Sequence, residues 1–297
     1  MGEKDIAEKN LEAFNDVFAD IVNVLLFKGN KLMKEKDLES AVKDSMFKAD
    51  GKIHQQERDV SKFWKNGEIR ISILGFENQT NPDKDMPLRV ISYDGASYKQ
   101  QLLDNEKGKK DDTTKKSLYP VVTLVLYFGT DEKWSTHKNL LSCFNVPEEL
   151  KPFVNDYKIN VFNIAWLSDK TIDMFQSDFK IVAKYFQAIR VKKNYKGSTE
   201  EIKHVDALLK MLSALTGDNS FEEVYNEGNL NKGGVTMCEV VEKIKNEGRN
   251  EGVLAGKAEL IRKMLDTNFA TEQQIADLLK ISVKEVKKIA AKVPVQA

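Results

Sequence analysis

Two carboxylates and an amide stand at the ends of what read as neighbouring strands: Asp59, then Glu77 and Gln79 in the run Gly75-Phe76-Glu77-Asn78-Gln79-Thr80. The stretch leading to Glu77 alternates. Ile69, Ile71, Ile73, Gly75, Glu77 and Gln79 share one face, and Arg70, Ser72, Leu74, Phe76 and Asn78 the other. The isoleucine face therefore turns acidic at its C-terminal end. Packing alone would continue it with another apolar residue, because burying an unpaired carboxylate is costly. A divalent cation is one compensator, and an ion pair with Arg58 or Arg89 is the other. The oxygen-rich donor set suits a hard cation.

Such residues need a scaffold, and the sequence supplies an α/β one. Leu11, Phe14, Phe18, Ile21, Val22, Leu25 and Leu26 recur at helical spacing, with Asp20 and Asn23 beside that stripe and Glu12 and Asp16 farther round. Lys28-Gly29-Asn30 stops this helix, and Asp50-Gly51-Lys52 reads as a turn before the Asp59 strand. Thr80 to Asp85 is a loop rich in breakers, followed by a helix from Met86-Pro87, where proline's missing amide costs nothing. The charge-rich run 99–116 reads as a flexible loop. Tyr119 to Phe128 is apolar on both faces, as in the middle of a covered sheet, and 158–164 alternates like one more strand. Helical periodicity marks 171–190 and 199–215, the second closed by Gly217.

Several of these segments, in this order, resemble the recombination-promoting nuclease/putative transposase family of the PD-(D/E)xK nuclease superfamily. They are Phe18-Ala19-Asp20-Ile21-Val22-Asn23, Arg58-Asp59-Val60, Glu77-Asn78-Gln79, Met86-Pro87-Leu88-Arg89 with Tyr93-Asp94, Pro120 to Gly129, Asp156-Tyr157-Lys158, Leu215-Thr216-Gly217-Asp218 and Met237-Cys238-Glu239-Val240. The resemblance implies a restriction-endonuclease-like core, a mixed central sheet flanked by helices, followed by a helical C-terminal region. It implies a metal-dependent endonuclease that hydrolyses DNA phosphodiester bonds with low sequence specificity. Mg²⁺, with Mn²⁺ as the alternative, would be held by Asp59, Glu77 and the carbonyl of Asn78. Gln79 takes the place of the superfamily's lysine, and Asp20 is the first-helix acid such enzymes often add. An amide brings no charge to the transition state, so the alternative is a catalytically silent DNA-binding or interaction scaffold.

The boundaries expected are a nuclease-like core over 1–195, a helical extension over 196–238 and a charged linker with a helix-turn-helix-like tail over 239–297. In the tail, Glu-Gly recurs at 247–248 and 251–252 before Gly256-Lys257, and Thr271 and Ser282 are credible N-caps of two short amphipathic helices. The family often carries a charged glycine-containing stretch here that looks like an extended or oligomerising linker. With 46 basic and 46 acidic residues, no overall field attracts DNA, and any contact surface must be local. Cys143 and Cys238 fit neither a zinc spacing nor a disulfide framework, so a reducing cytoplasm is the expected setting. The charged N-terminus lacks a signal-like apolar region, the longest apolar run is too short to span a bilayer, and there is no phosphate-binding glycine loop for a nucleotide cofactor. A homodimer is expected, since one metal site per chain cuts two strands most simply as a two-fold pair.

Overall fold

The computed structural model describes residues 11–41, 44–49, 52–57, 60–64, 69–74, 82–108, 118–192, 194–226 and 234–291. The chain divides into two compact units, Met1–Cys238 and Glu239–Ala297.

In the first unit, a 3-10 turn at Leu11–Ala13 leads into α1 (Asn15–Leu25), which buries Val17, Phe18, Ile21 and Val22. There follow β1 (Leu38–Ser40), β2 (Asp44–Ala49), β3 (Lys52–Glu57), β4 (Val60–Trp64), β5 (Ile69–Leu74) and α2 (Met86–Gly108). The chain continues through β6 (Val121–Tyr127), β7 (Asn160–Asn163), α3 (Asp169–Ile172), α4 (Phe179–Arg190), α5 (Val205–Thr216) and α6 (Ser220–Asn226). Five strands make one sheet in the order β1-β4-β5-β6-β7, and β2 with β3 forms a separate hairpin. β4 runs antiparallel to both its neighbours, whereas β5, β6 and β7 are parallel.

Helices cover both faces of the sheet, as its continuous apolar strands require. On one face Val125 and Tyr127 pack with Met86, Val90 and Tyr93 of α2 and with Trp134 and Ile159 from the β6–β7 crossover. On the other, Phe128 just beyond β6 meets Phe179 and Phe186 of α4, and the buried Lys62 of β4 donates to Asn15 of α1 at 2.6 Å. This is a restriction-endonuclease-like core, the fold class the sequence implied, followed by helices.

Three local expectations change. The run 99–116 was expected as a loop, yet α2 continues to Gly108. Gln101 is buried there, and its amide pairs both ways with the backbone of Tyr119, tying the helix to the start of β6. The single helix expected over 171–190 is two, α3 and α4, with Ser168 capping the first. The helix expected from 199 begins only at Val205, because the backbone before it is engaged elsewhere. Ile202 donates to the Val235 carbonyl, and Lys203 and His204 donate to the Asp178 carboxylate.

The second unit is built from α7 (Met237–Asp266, whose first two residues belong to the first unit), α8 (Glu272–Leu279) and α9 (Val283–Ala291). Ile261, Ile275, Ala276 and Val286 form its core. Thr271 and Gln274 make a reciprocal capping box at the start of α8, and Ser282 and Glu285 bond reciprocally at the start of α9. Lys280, with φ 54°, turns the chain between them. Among the described residues, no helix is long and apolar enough to cross a membrane.

Candidate functional site

The register of the sheet decides where the predicted acids attach. Val60 pairs with Ile73 across the antiparallel β4–β5 ladder, and Leu74 pairs with Val125 across the parallel β5–β6 ladder. The chain therefore enters β4 and leaves β5 at the same end of the sheet, which is also the carboxyl end of β6 and β7. Asp59 directly precedes Val60, and Glu77 follows Leu74 by three residues. Asp59, Glu77, Asn78 and Gln79 themselves lie outside the described residues. Among the described residues no group of three or more His, Cys, Asp or Glu is placed to hold a metal ion. Arg89, weighed above as an ion-pair partner for the strand acids, bridges to Asp83 at 3.3 Å. Asp83 also accepts the backbone N–H of Asp85 at 2.9 Å, shaping the entry to α2.

Beneath α2 lies a buried polar network. Arg70 of β5 donates through Nε to Ser61 Oγ of β4 at 2.8 Å and through a guanidinium nitrogen to Ser97 Oγ of α2 at 3.3 Å. Asp94 of α2, only 2% exposed, accepts from the Thr123 hydroxyl of β6 at 2.7 Å and from the Tyr157 hydroxyl. Burial pushes the Arg70 pKa down, opposed by the charges of Tyr119 and Asp94. The network fixes α2 against three strands and the crossover, which sets where α2 begins after the Glu77 segment. Two segments of the family resemblance, Tyr93-Asp94 and Asp156-Tyr157, thus meet in one contact. Sequence spacing had signalled neither side of it.

The acids near the first helix have separate tasks. Asp20 Oδ2 accepts three hydrogen bonds, from the N–H groups of Gln176 and Ser177 at 2.8 Å each and from the Ser177 hydroxyl at 2.7 Å. It anchors the turn that opens α4. Asp20→Ala should lower stability by about 1–3 kcal/mol in a urea titration, since three donors, two of them part-buried, lose a charged acceptor. Glu12, which the helical wheel put farther round, is fully buried, because it belongs to the 3-10 turn and not to the helix. Asp16 accepts from Lys203 Nζ at 2.7 Å and faces His204 Nε2 at 3.1 Å, and the His204 ring stacks on Phe14 at 3.7 Å.

Burial works against the Asp16 charge, but the hydrogen bonds and charges of Lys203 and His204 outweigh it and hold its pKa below the usual 3.8. A depressed carboxylate pKa adds stability that is present above the unfolded value and is lost as pH falls through the folded one. The stability gap between wild type and Asp16→Asn should accordingly close as pH falls below the ordinary carboxylate range. Denaturation midpoints measured down that range check it.

The family model described as "Putative transposase, YhgA-like" matches residues 64–216, just over half of the chain. The chain belongs to the YhgA-like family. No curated protein and no solved structure matches it significantly. The YhgA-like match takes in Glu77, Asn78, Gln79, all of α2 and the Asp94–Tyr157 contact, and it starts after Asp59 and Asp20. It links the chain at family level to the PD-(D/E)xK nucleases, whose members use divalent metal ions.

Proposed function

We propose that this YhgA-like protein is a Mg²⁺-dependent DNA endonuclease of low sequence specificity, with Mn²⁺ able to substitute. The observation that carries the proposal is the Val60 to Ile73 register, which attaches Asp59 and the Glu77 segment to one end of the sheet. Ligands of open α/β sheets characteristically bind outside the carboxyl ends of the strands. Asp59, Glu77 and the Asn78 carbonyl form an all-oxygen donor set of the kind Mg²⁺ requires. The bound ion would supply charge for the scissile phosphate and a lowered pKa for the attacking water. Gln79 orients that water or a phosphate oxygen through its amide, which donates and accepts but carries no charge. Asp20 serves at one remove, by holding α1 to the start of α4. The protein acts as a homodimer on duplex DNA.

Conversion of supercoiled plasmid to nicked and linear forms tests this, with Mg²⁺, Mn²⁺, Ca²⁺ or chelator, for wild type beside Asp59→Ala. Cleavage is expected with Mg²⁺ and Mn²⁺ and is expected to vanish with chelator and in the variant. No cleavage by wild type in any metal would leave the silent DNA-binding scaffold as the better reading. Deleting residues 239–297 would then be expected to abolish DNA association.

A further inference from the structure

We propose that Lys133 and Lys138, beside the edge strand β7, grip the backbone of the strand being cut, a contact that presupposes the DNA endonuclease proposed above. One row of paired residues crosses four strands of the sheet: Val60 with Ile73, Ile73 with Leu124, and Leu124 with Asn160. Asp59 adjoins the first residue of this row. Ile159 adjoins the last, and it donates its N–H to the Lys138 carbonyl at 3.0 Å. Lys138 is therefore level with the end of the sheet to which Asp59 attaches. Neighbouring strands lie about 4.8 Å apart, so β7 stands about 10 Å from β5, the strand that leads to Glu77. A DNA strand advances about 3.4 Å along the axis per phosphate, which makes that span about three nucleotides.

The turn that carries the two lysines is firmly held. Trp134, fully buried, donates its backbone N–H to Asn163 Oδ1 and its indole N–H to the Thr136 carbonyl, both at 2.8 Å. Its ring meets Tyr127 edge to face at 5.4 Å, and His137, with φ 50°, then redirects the chain. Lys133 is exposed and Lys138 half-buried. Among the described residues neither ammonium takes part in an ion pair or hydrogen bond.

Two like charges held together, one of them partly desolvated, are costly without a counter-ion. Burial and the charge of Lys133 both push the Lys138 pKa down. The nearby carboxylates are directed elsewhere. Asp156 accepts from Asn139 Nδ2 at 2.7 Å and from the Leu141 N–H at 3.0 Å, and Asp131 and Glu132 act on the Tyr127 hydroxyl. A backbone phosphate would supply the missing charge to both lysines at once. Lysine meets phosphate as a point charge and reads no base edge, which suits a contact that positions DNA of any sequence.

Binding of a fluorescent DNA duplex to the full chain, followed across a salt series in chelator so that no strand is cut, tests the contact. Each phosphate neutralised adds about 0.9 to the steepness with which the logarithm of the binding constant falls against that of salt. Lys133→Gln with Lys138→Met is expected to flatten the slope by about 1.8, two such contacts. Lys133→Arg with Lys138→Arg should keep the wild-type slope. Lys34→Gln with Lys36→Gln removes the same charge from exposed positions just before β1, at the other edge of the sheet and, since Leu38 pairs with Trp64, toward its other end. That control should keep the slope as well. Methionine retains the apolar stem of Lys138 and sheds a disfavoured charge, so the thermal midpoint should be no lower than that of wild type, which separates a lost contact from lost folding. A slope flattened no more by the Lys133 and Lys138 pair than by the control overturns the contact and leaves the endonuclease standing. A wild-type chain that binds no duplex also overturns it, and plasmid cleavage decides the endonuclease on its own.

Discussion

Glu77→Ala is expected to lower Mg²⁺-dependent plasmid cleavage by at least about 100-fold, the scale on which removing one group that stabilises transition-state charge acts. Fold should survive, because the strand that delivers Glu77 is held upstream of it. Ile71 is buried, Arg70 is bonded to Ser61 and Ser97, and the β5 backbone is paired on both sides. A second readout separates a lost ligand from a damaged protein. Added Mg²⁺ should raise the thermal unfolding midpoint of wild type, since a ligand that binds only the native state stabilises it by mass action. The same addition should leave Glu77→Ala unmoved, while the two midpoints agree within a few degrees in chelator. Cleavage retained in Glu77→Ala would remove this residue from the site.

The largest loss of stability is expected at Asp94, which is not among the proposed ligands. Asp94→Ala leaves the hydroxyls of Thr123 and Tyr157 without their acceptor and takes away a negative charge that favours the buried Arg70 cation. Breaking a buried charged arrangement by removing one member costs roughly 3–5 kcal/mol, because the group left behind stays desolvated. Tyr157→Phe, which removes a single hydrogen bond to a carboxylate, should cost less, about 1.5–3 kcal/mol. Urea denaturation of the two variants beside wild type measures both. Equal, sub-kilocalorie losses would mean that the network is solvated in practice and does not fasten α2.

What the sequence made legible was whatever has a short period. The alternation through Ile69, Ile71 and Ile73 is a strand, the apolar run before Gly129 is a strand covered on both faces, and the Thr271 and Ser282 caps open helices. What it concealed were contacts set by tertiary structure. The Tyr157 hydroxyl reaches Asp94 across 63 residues, and no local pattern distinguishes that aspartate from a solvated one. Asp20 was singled out because the resembled segment includes it beside an apolar stripe, and neither sign says anything of the Gln176 and Ser177 amides that occupy it. The polar stretch beyond Lys99 read as loop because charge-rich segments usually are; the pairing of Gln101 with Tyr119, which extends α2, is invisible to composition. The acids of the proposed site fell between these cases. Their spacing was plain, and the strand register supports bringing their chain segments together.

The fastening of α1 also governs the order in which the protein can be made. Asp20 waits for partners 156 and 157 residues downstream, and Asp16 for partners 187 and 188 downstream. A ribosome therefore releases the first helix long before the residues that clasp it have been translated. Throughout that interval Phe18, Ile21 and Val22, all fully buried in the finished fold, have none of their late partners to cover them. Contacts of such long sequence separation slow folding, because the intervening chain must be closed before they reward it. The nascent protein thus presents the apolar face of α1 long before that clasp exists, and a chain truncated before residue 176 lacks the backbone N–H groups that Asp20 accepts from.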